Sequence, residues 1–255
     1  MINNIITAAK AGGEIVRKYF GEALEIEQKS SITDFRTKAD LESEKAILKI
    51  LSEKFPNYNI FSEEAGSIDK KSEYALIVDP LDGTNNFTLG IPNFSISIGL
   101  LKGTRCVAGV IYMPLLDKTY FAEEGKGAFC DEKKISVSKE LKAGKATISY
   151  TCGYITEHQF EIELLKKLRS LNIKRYITNW SPAFDYCLLA SGKIEAIINN
   201  DNELYDYIAG KIIAREAGAI ITDFSGQPQN DKETTRFIAS NTQQIHDILI
   251  KTISA

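Results

Sequence analysis

Apolar residues recur along the chain in two rhythms. At the N-terminus Ile2, Ile5, Ile6, Ala9, Ile15, Val16, Tyr19 and Phe20 fall three to four apart, which predicts a helix over 2–20 ended by Gly21. A polar stretch up to Thr37, containing Ser30-Ser31-Ile32-Thr33-Asp34, reads as a strand or a mobile loop. A second helix opens at Asp40, carries Ala46, Ile47, Ile50 and Leu51 on one face, and is stopped after Phe55 by Pro56-Asn57. Two short strand-like runs follow, Asn59-Ile60-Phe61-Ser62 and Tyr74-Ala75-Leu76-Ile77-Val78, and each leads directly into acids. From Phe94 to Lys134 short apolar runs alternate with turn signals, which predicts an antiparallel meander. After Lys145 strands over 146–150, 173–177, 194–198, 219–222 and 237–239 alternate with helices over 157–170, 182–190, 205–217 and 242–253. That alternation predicts a second sheet with helices packed on it. No Pro/Gly/Ser linker and no repeat interrupts the chain. The reading is therefore one domain over 1–255, with an α+β half at 1–140 and an α/β half at 141–255.

Composition narrows the chemistry. With 44% hydrophobic and 25% charged residues and a formal net charge of -3, the chain suits a soluble globular protein and offers no nucleic-acid surface. No apolar run approaches the length of a membrane span, and Met1-Ile2-Asn3-Asn4-Ile5 lacks the basic region and apolar core of a signal peptide. Cys106, Cys130, Cys152 and Cys187 form no Cys-x-x-Cys pair and read as reduced core thiols of a cytoplasmic protein. The two histidines, His158 and His246, fall in a polar stretch (Thr156 to Gln159) and a terminal helix, so surface or helix placement accounts for both. Histidine-based nucleophilic catalysis and His-rich zinc sites have almost no material here. The acids become the candidates.

The densest signal is Asp79-Pro80-Leu81-Asp82-Gly83-Thr84-Asn85-Asn86-Phe87. Two carboxylates sit at a strand's end, Pro80 fixes a torsion between them, and Gly83 permits a tight turn. Thr84 to Asn86 can then start a helical turn whose free N–H groups face the acids. Acids that hold cations beside amides that hold an anion suggest a site for a metal-bound phosphate. Other acids are ambiguous on their own. Asp40 suits the first turn of a helix, Glu63-Glu64 suits a solvated turn, and Asp206 suits either a helix start or a site. The glycines between 103 and 127 lack the strand–Gly–helix spacing of a nucleotide loop.

Taken together, these residues resemble the inositol monophosphatase family of magnesium-dependent, lithium-sensitive phosphatases. Asp79 to Thr84 with Asn86-Phe87 looks like its first signature, and Asp206-Tyr207-Ile208-Ala209-Gly210 with Glu216-Ala217-Gly218 like its second. Lys38-Ala39-Asp40 with Glu44, and Ser62-Glu63-Glu64, match its N-terminal motifs, in order and spacing over nearly the whole chain. The resemblance implies an α/β sugar-phosphatase fold of alternating αβαβα layers, its first sheet mostly antiparallel. It implies two or three Mg²⁺ ions: Glu63, Asp79 and the Leu81 carbonyl on the first, Asp79, Asp82 and Asp206 on the second. The Gly83 and Thr84 N–H groups bind phosphate, Thr84 and Asp40, with Glu63, act on the attacking water, and Asn199 and Ala183 contact substrate. A small phosphorylated polyol or sugar is the implied partner, in a homodimer with no membrane or direct nucleic-acid role.

Inositol monophosphate leads the substrates this implies, followed by fructose-1,6-bisphosphate, histidinol phosphate and NADP. The bisphosphate nucleotidase branch fits less well, since it carries Lys-Glu where this chain has Asn85-Asn86. A transcription-complex partner is the reading from another class. The chain departs from the family pattern at Tyr205, Ala219 and Asn199, where Trp, Gly and a polyol-reading Glu are usual. If Asn199 faces the substrate, preference among leaving groups is relaxed; if it sits in the turn-rich Asn199-Asn200-Asp201-Asn202, it has no such effect.

Overall fold

Helices α1 (Ile2–Tyr19) and α2 (Lys38–Lys54) form one outer layer in the computed structural model, which describes residues 1–22, 26–31, 34–154 and 158–254. Between them runs the antiparallel hairpin β1 (Ile26–Ser31) and β2 (Asp34–Thr37); Ile32 and Thr33 lie outside the described residues. Two glycines let α1 approach its neighbours. A Cβ on Gly12 would sit 2.6 Å from Ile47, and one on Gly13 2.4 Å from the Tyr112 ring.

The larger sheet has eight strands in the order β10-β9-β8-β7-β6-β5-β3-β4. They are β3 (Asn59–Ser62), β4 (Gly66–Ile68), β5 (Tyr74–Asp82), β6 (Ser95–Lys102), β7 (Arg105–Met113), β8 (Lys118–Glu123), β9 (Gly127–Cys130) and β10 (Lys133–Ile135). Only β3 and β5 run parallel; every other pair is antiparallel, as the meander predicts. Leu76, Val78, Ile96, Ile98 and Val110 pack against α1 and α2. Side chains on the opposite face pack against α5 (Pro182–Ala190) and α6 (Leu204–Glu216). Burying one such Leu or Ile contributes about 2 kcal/mol.

The smaller sheet follows in the order β12-β11-β13-β15-β14, with β11 (Thr147–Cys152) parallel to β12 (Arg175–Ile177) and β13 (Ala196–Asn200). Strands β14 (Ile220–Asp223) and β15 (Arg236–Ser240) complete it in antiparallel register. Alternation along β13 divides its side chains: Ile197 joins α5 and α6, while Ala196 and Ile198 face α4 (His158–Ser170) and α7 (Gln243–Ser254). The layers therefore run helix, sheet, helix, sheet, helix.

Several elements differ from their predicted form. Helix α2 starts at Lys38, with Thr37 as its N-cap and Asp40 as its third residue, in a reciprocal capping box. Strand β5 runs on through Pro80 to Asp82, with its register to β6 broken between the two acids. A bulge tolerates a proline there because no ladder N–H is needed. Strand β13 extends to Asn200, so Asn199 lies inside a strand and not in a turn. Of the four thiols only Cys106 and Cys187 are buried; Cys152, at the end of β11, is exposed. His246 on α7 is buried between the Ser240 and Thr222 hydroxyls, at 2.7 and 2.8 Å. Thr156 and Glu157, ahead of α4, lie outside the described residues.

Candidate active site

Parallel pairing of β3 and β5 sets Ser62 opposite Val78, so the two chains leave the sheet side by side. The Glu63 N–H donates to the Val78 carbonyl at 3.1 Å, which fixes that exit. Glu44 on α2 holds the following turn: its Oε1 accepts from the Glu64 and Ala65 N–H groups at 3.1 and 3.0 Å and from the Ser62 hydroxyl. The two glutamates then part. Glu63 lines a cleft with Asp79, Asp82 and Asp206, whereas the buried Glu64 carboxylate faces Lys29 and Arg36. Lys29 Nζ bridges both, 2.7 Å from Glu63 and 2.5 Å from Glu64. Nothing in the polar run around Lys29 marks it out, and sequence reasoning missed it.

Asp79, Asp82 and Asp206 each bring a carboxylate oxygen within 4.8 Å of the others. Asp79 Oδ1 accepts from the Leu81 N–H at 2.9 Å, across the bulge that Pro80 permits. Asp82 Oδ2 accepts from the Ser95 hydroxyl at 3.1 Å and from the Ser181 hydroxyl, and the Ala183 N–H donates to the Asp82 carboxylate. Asp206 arrives from the other half of the chain, on the first turn of α6, where the Glu203 N–H donates to it at 2.9 Å.

This cluster is electrostatically incomplete. Burial raises the Asp79 carboxyl well above its ordinary value, and Glu63, Asp82 and Asp206 raise it further by repulsion. Asp206 is raised by burial and then by Asp82 and Glu63. Glu63 is raised by burial too, with Lys29 opposing. Among the described residues Asp82 Oδ1 is buried without a hydrogen-bond partner. Buried carboxylates with unpartnered oxygens call for a cation. An all-oxygen donor set of this kind fits Mg²⁺, which takes hard ligands and retains water.

Beside the acids, Gly83 turns the chain with φ 93°; a Cβ there would lie 2.9 Å from the Asn93 carbonyl oxygen and 3.0 Å from Ser181. Only glycine meets both demands. The short helix α3 (Thr84–Thr88) then starts, pinned by Asn86 Nδ2 donating to the Asn93 and Asn179 carbonyls at 2.7 and 2.6 Å. Thr84 Oγ1 is within hydrogen-bond reach of Asp40 Oδ1 and of the Leu81 carbonyl. Asp40 thus serves both as a capping residue and as a neighbour of Thr84. Burial lifts its carboxyl to about 6.

The cleft, of about 380 Å³, extends from these acids toward the end of β11 and the start of α5. Asn199 does not line it. Its Oδ1 accepts from Thr151, Tyr186 and Asn202 at 3.2, 3.3 and 2.9 Å, and its Nδ2 donates to the Thr235 carbonyl at 2.7 Å. Ala183 is fully buried, and its described polar contact is with Asp82 and not the cleft. The expected substrate-facing pair is therefore one layer back. Asn202, Tyr154, Trp180 and His158 line the cleft instead.

The sequence matches the inositol monophosphatase family over residues 1–255. It is 32% identical over 242 residues to the fructose-1,6-bisphosphatase/inositol-1-monophosphatase of Thermotoga maritima, covering 95% of this chain and 91% of that one. It is 30% identical over 235 residues to the Nus factor SuhB of Pasteurella multocida, covering 89% and 86%. Its fold superimposes on the IMPase structure of Thermotoga maritima with a TM-score of 0.90 at 30% identity, covering 99% and 96%. No helix among the described residues is long and apolar enough to cross a membrane. The chain belongs to the inositol monophosphatase family and is a phosphoric monoester hydrolase.

Proposed function

We propose that the protein hydrolyses a small phosphate monoester in an Mg²⁺-dependent reaction, with inositol monophosphate as the lead substrate. The carrying observation is the cluster of Asp79, Asp82 and Asp206, the first two buried, with one oxygen of Asp82 unpartnered among the described residues. Glu63, Asp79 and the Leu81 carbonyl would hold one ion, and Asp79, Asp82 and Asp206 another. Bound there, Mg²⁺ supplies an acidified water and neutralises charge on the leaving oxygen.

The chain's own residues do the rest. Gly83 and Thr84 offer backbone N–H groups to the phosphate oxygens. Thr84 orients the attacking water through its hydroxyl, and Asp40 takes up the proton that Thr84 relays. Ser95, Ser181 and the Ala183 N–H hold Asp82 in place. Lys29 orients Glu63 and tempers the repulsion among the acids.

Fructose-1,6-bisphosphate is the first alternative, from the printed name of the Thermotoga maritima relative; histidinol phosphate and NADP come after it. A transcription-complex role is the second reading, from the relative named Nus factor SuhB. The complete acid set favours an enzyme, since a binding module has no need to retain buried repelling carboxylates. A homodimer in the cytoplasm is the expected form. Phosphate release from a panel of monoesters, with Mg²⁺ and with EDTA, tests the proposal: Mg²⁺-dependent release supports it, and no release from any ester defeats it.

A further inference from the structure

Trp180 is the chain's single tryptophan, and its side chain is 62% exposed on the wall of the cleft. Its backbone is left-handed, with φ 54°. That conformation costs free energy for a bulky residue and none for glycine. Bulky residues persist there when their surroundings over-determine the backbone, and such sites cluster where ligands bind.

Both neighbours of Trp180 are clamped. The Asn179 carbonyl accepts from Asn86 Nδ2 at 2.6 Å, and Asn179 Nδ2 donates to Asp185 Oδ1 at 2.5 Å. Ser181, fully buried, donates to Asp82 and stands at the position just before α5. Trp180 is thus carried on a strap between the phosphate-binding turn and a candidate metal ligand. Among the described residues no ring or cation packs on its indole. Tyr154, 48% exposed, lines the same cleft.

We propose that Trp180 is the stacking platform for the substrate's leaving group, selecting ring-bearing alcohols over open-chain ones. The inference rests on the phosphatase reading above. A flat indole face in a cleft accepts the C–H face of a cyclitol or sugar ring, or the π-face of a base. A flexible chain such as glycerol gains little from it. The rigid strap removes the ordering cost of holding the ring in place.

Two measurements test this. Because the chain has one tryptophan, its fluorescence reports on residue 180 alone. The full-length protein, with Mg²⁺ and inorganic phosphate, is titrated with myo-inositol, adenosine or glycerol. Saturable change with either ring alcohol and none with glycerol is expected; no change with either ring alcohol overturns the proposal. Emission that is blue-shifted and depends on protein concentration before any ligand is added also overturns it, because a second copy then covers the indole.

The second is kcat/KM for inositol 1-phosphate, adenosine 2′-phosphate and glycerol 2-phosphate, in wild type, Trp180→Gly and Trp180→Phe. The wild type should favour at least one ring ester over the glycerol ester by roughly tenfold. Which ring ester it favours identifies a cyclitol-type or a base-type leaving group. Trp180→Gly, which suits the left-handed backbone, should collapse that ratio through KM, and Trp180→Phe should keep most of it. An unchanged ratio in Trp180→Gly, or an equal loss on all three esters, overturns the proposal. If no ester is hydrolysed, the phosphatase reading fails by itself, and the fluorescence titration still decides the role of Trp180.

Discussion

Thr84 Oγ1 lies 2.9 Å from Asp40 Oδ1 and 3.0 Å from the Leu81 carbonyl oxygen, so one hydroxyl proton has two acceptors. It can go to only one of them at a time. Asp40 is also engaged on its other oxygen, which accepts from the Thr37 N–H and hydroxyl at 2.8 and 2.6 Å. The carboxylate that would receive a relayed proton is thereby fixed in position before substrate arrives.

From this pair comes a double-mutant test. Thr84→Ala and Asp40→Asn should each lower kcat, while the Mg²⁺ concentration for half-maximal activity shifts little. Groups that act as one unit are non-additive, so the double variant should be little worse than either single. Multiplicative losses would show two separate roles.

Buried acids make stability depend on pH. Below its ordinary value of 3.8, Asp40 is protonated folded or unfolded and costs nothing; as pH rises through about 6 the folded state must carry a buried charge. Burial moves Asp185 the same way, also to about 6, and raises Asp79, Asp82 and Asp206 as well. The contribution of each acid to stability is therefore present below its ordinary value and lost as pH rises through its raised one, about 6 for Asp40 and Asp185. A bound cation relieves the cost at the cluster, so the rise in Tm on adding Mg²⁺ should be larger at pH 7.5 than at pH 5. An increment that shrinks with pH, measured by thermal unfolding against EDTA, would contradict this.

Asn199→Glu now carries an expectation about folding. A carboxylate there would lose the amide donor to the Thr235 carbonyl and bury a charge with no described cation partner. The cost should be about 3 kcal/mol in urea unfolding. No gain in selectivity for inositol monophosphate should accompany it. A stable variant with improved selectivity would place this side chain in the cleft.

Family membership predicts lithium sensitivity for this chain. LiCl should inhibit phosphate release where KCl at equal ionic strength does not. Equal effects of the two salts would count against small-cation occupancy of a carboxylate site.

Much of the layout was legible because local signals agreed with the global fold. Apolar runs ending in acids at 59–62 and 74–78 correspond to the parallel strands that set Glu63 beside Asp79. The change of rhythm after residue 140 corresponds to the second sheet. Asn199 takes neither of the two places the sequence offers it, cleft or turn, because the strand reaches Asn200 by satisfying buried amides through Thr151, Tyr186 and Thr235. Those are tertiary partners that a one-dimensional pattern does not carry. The same holds for Lys29, a lone lysine whose meaning comes from where β1 lies. Trp180 is hidden for another reason: its left-handed backbone is imposed by the clamps at Asn179 and Ser181.

Carboxylates at the end of β5 and the start of α6 are proposed to hold the cation that hydrolysis needs. The most direct measurement is phosphate release from inositol monophosphate as a function of Mg²⁺ concentration, for wild type and Asp79→Asn. Wild type should show saturable Mg²⁺ dependence that EDTA abolishes. Asp79→Asn should fold and lose activity by roughly 10³-fold or more, since the charge stabilisation at stake is several kcal/mol. Near-normal turnover of Asp79→Asn at saturating Mg²⁺, or release that EDTA does not diminish, would contradict the account.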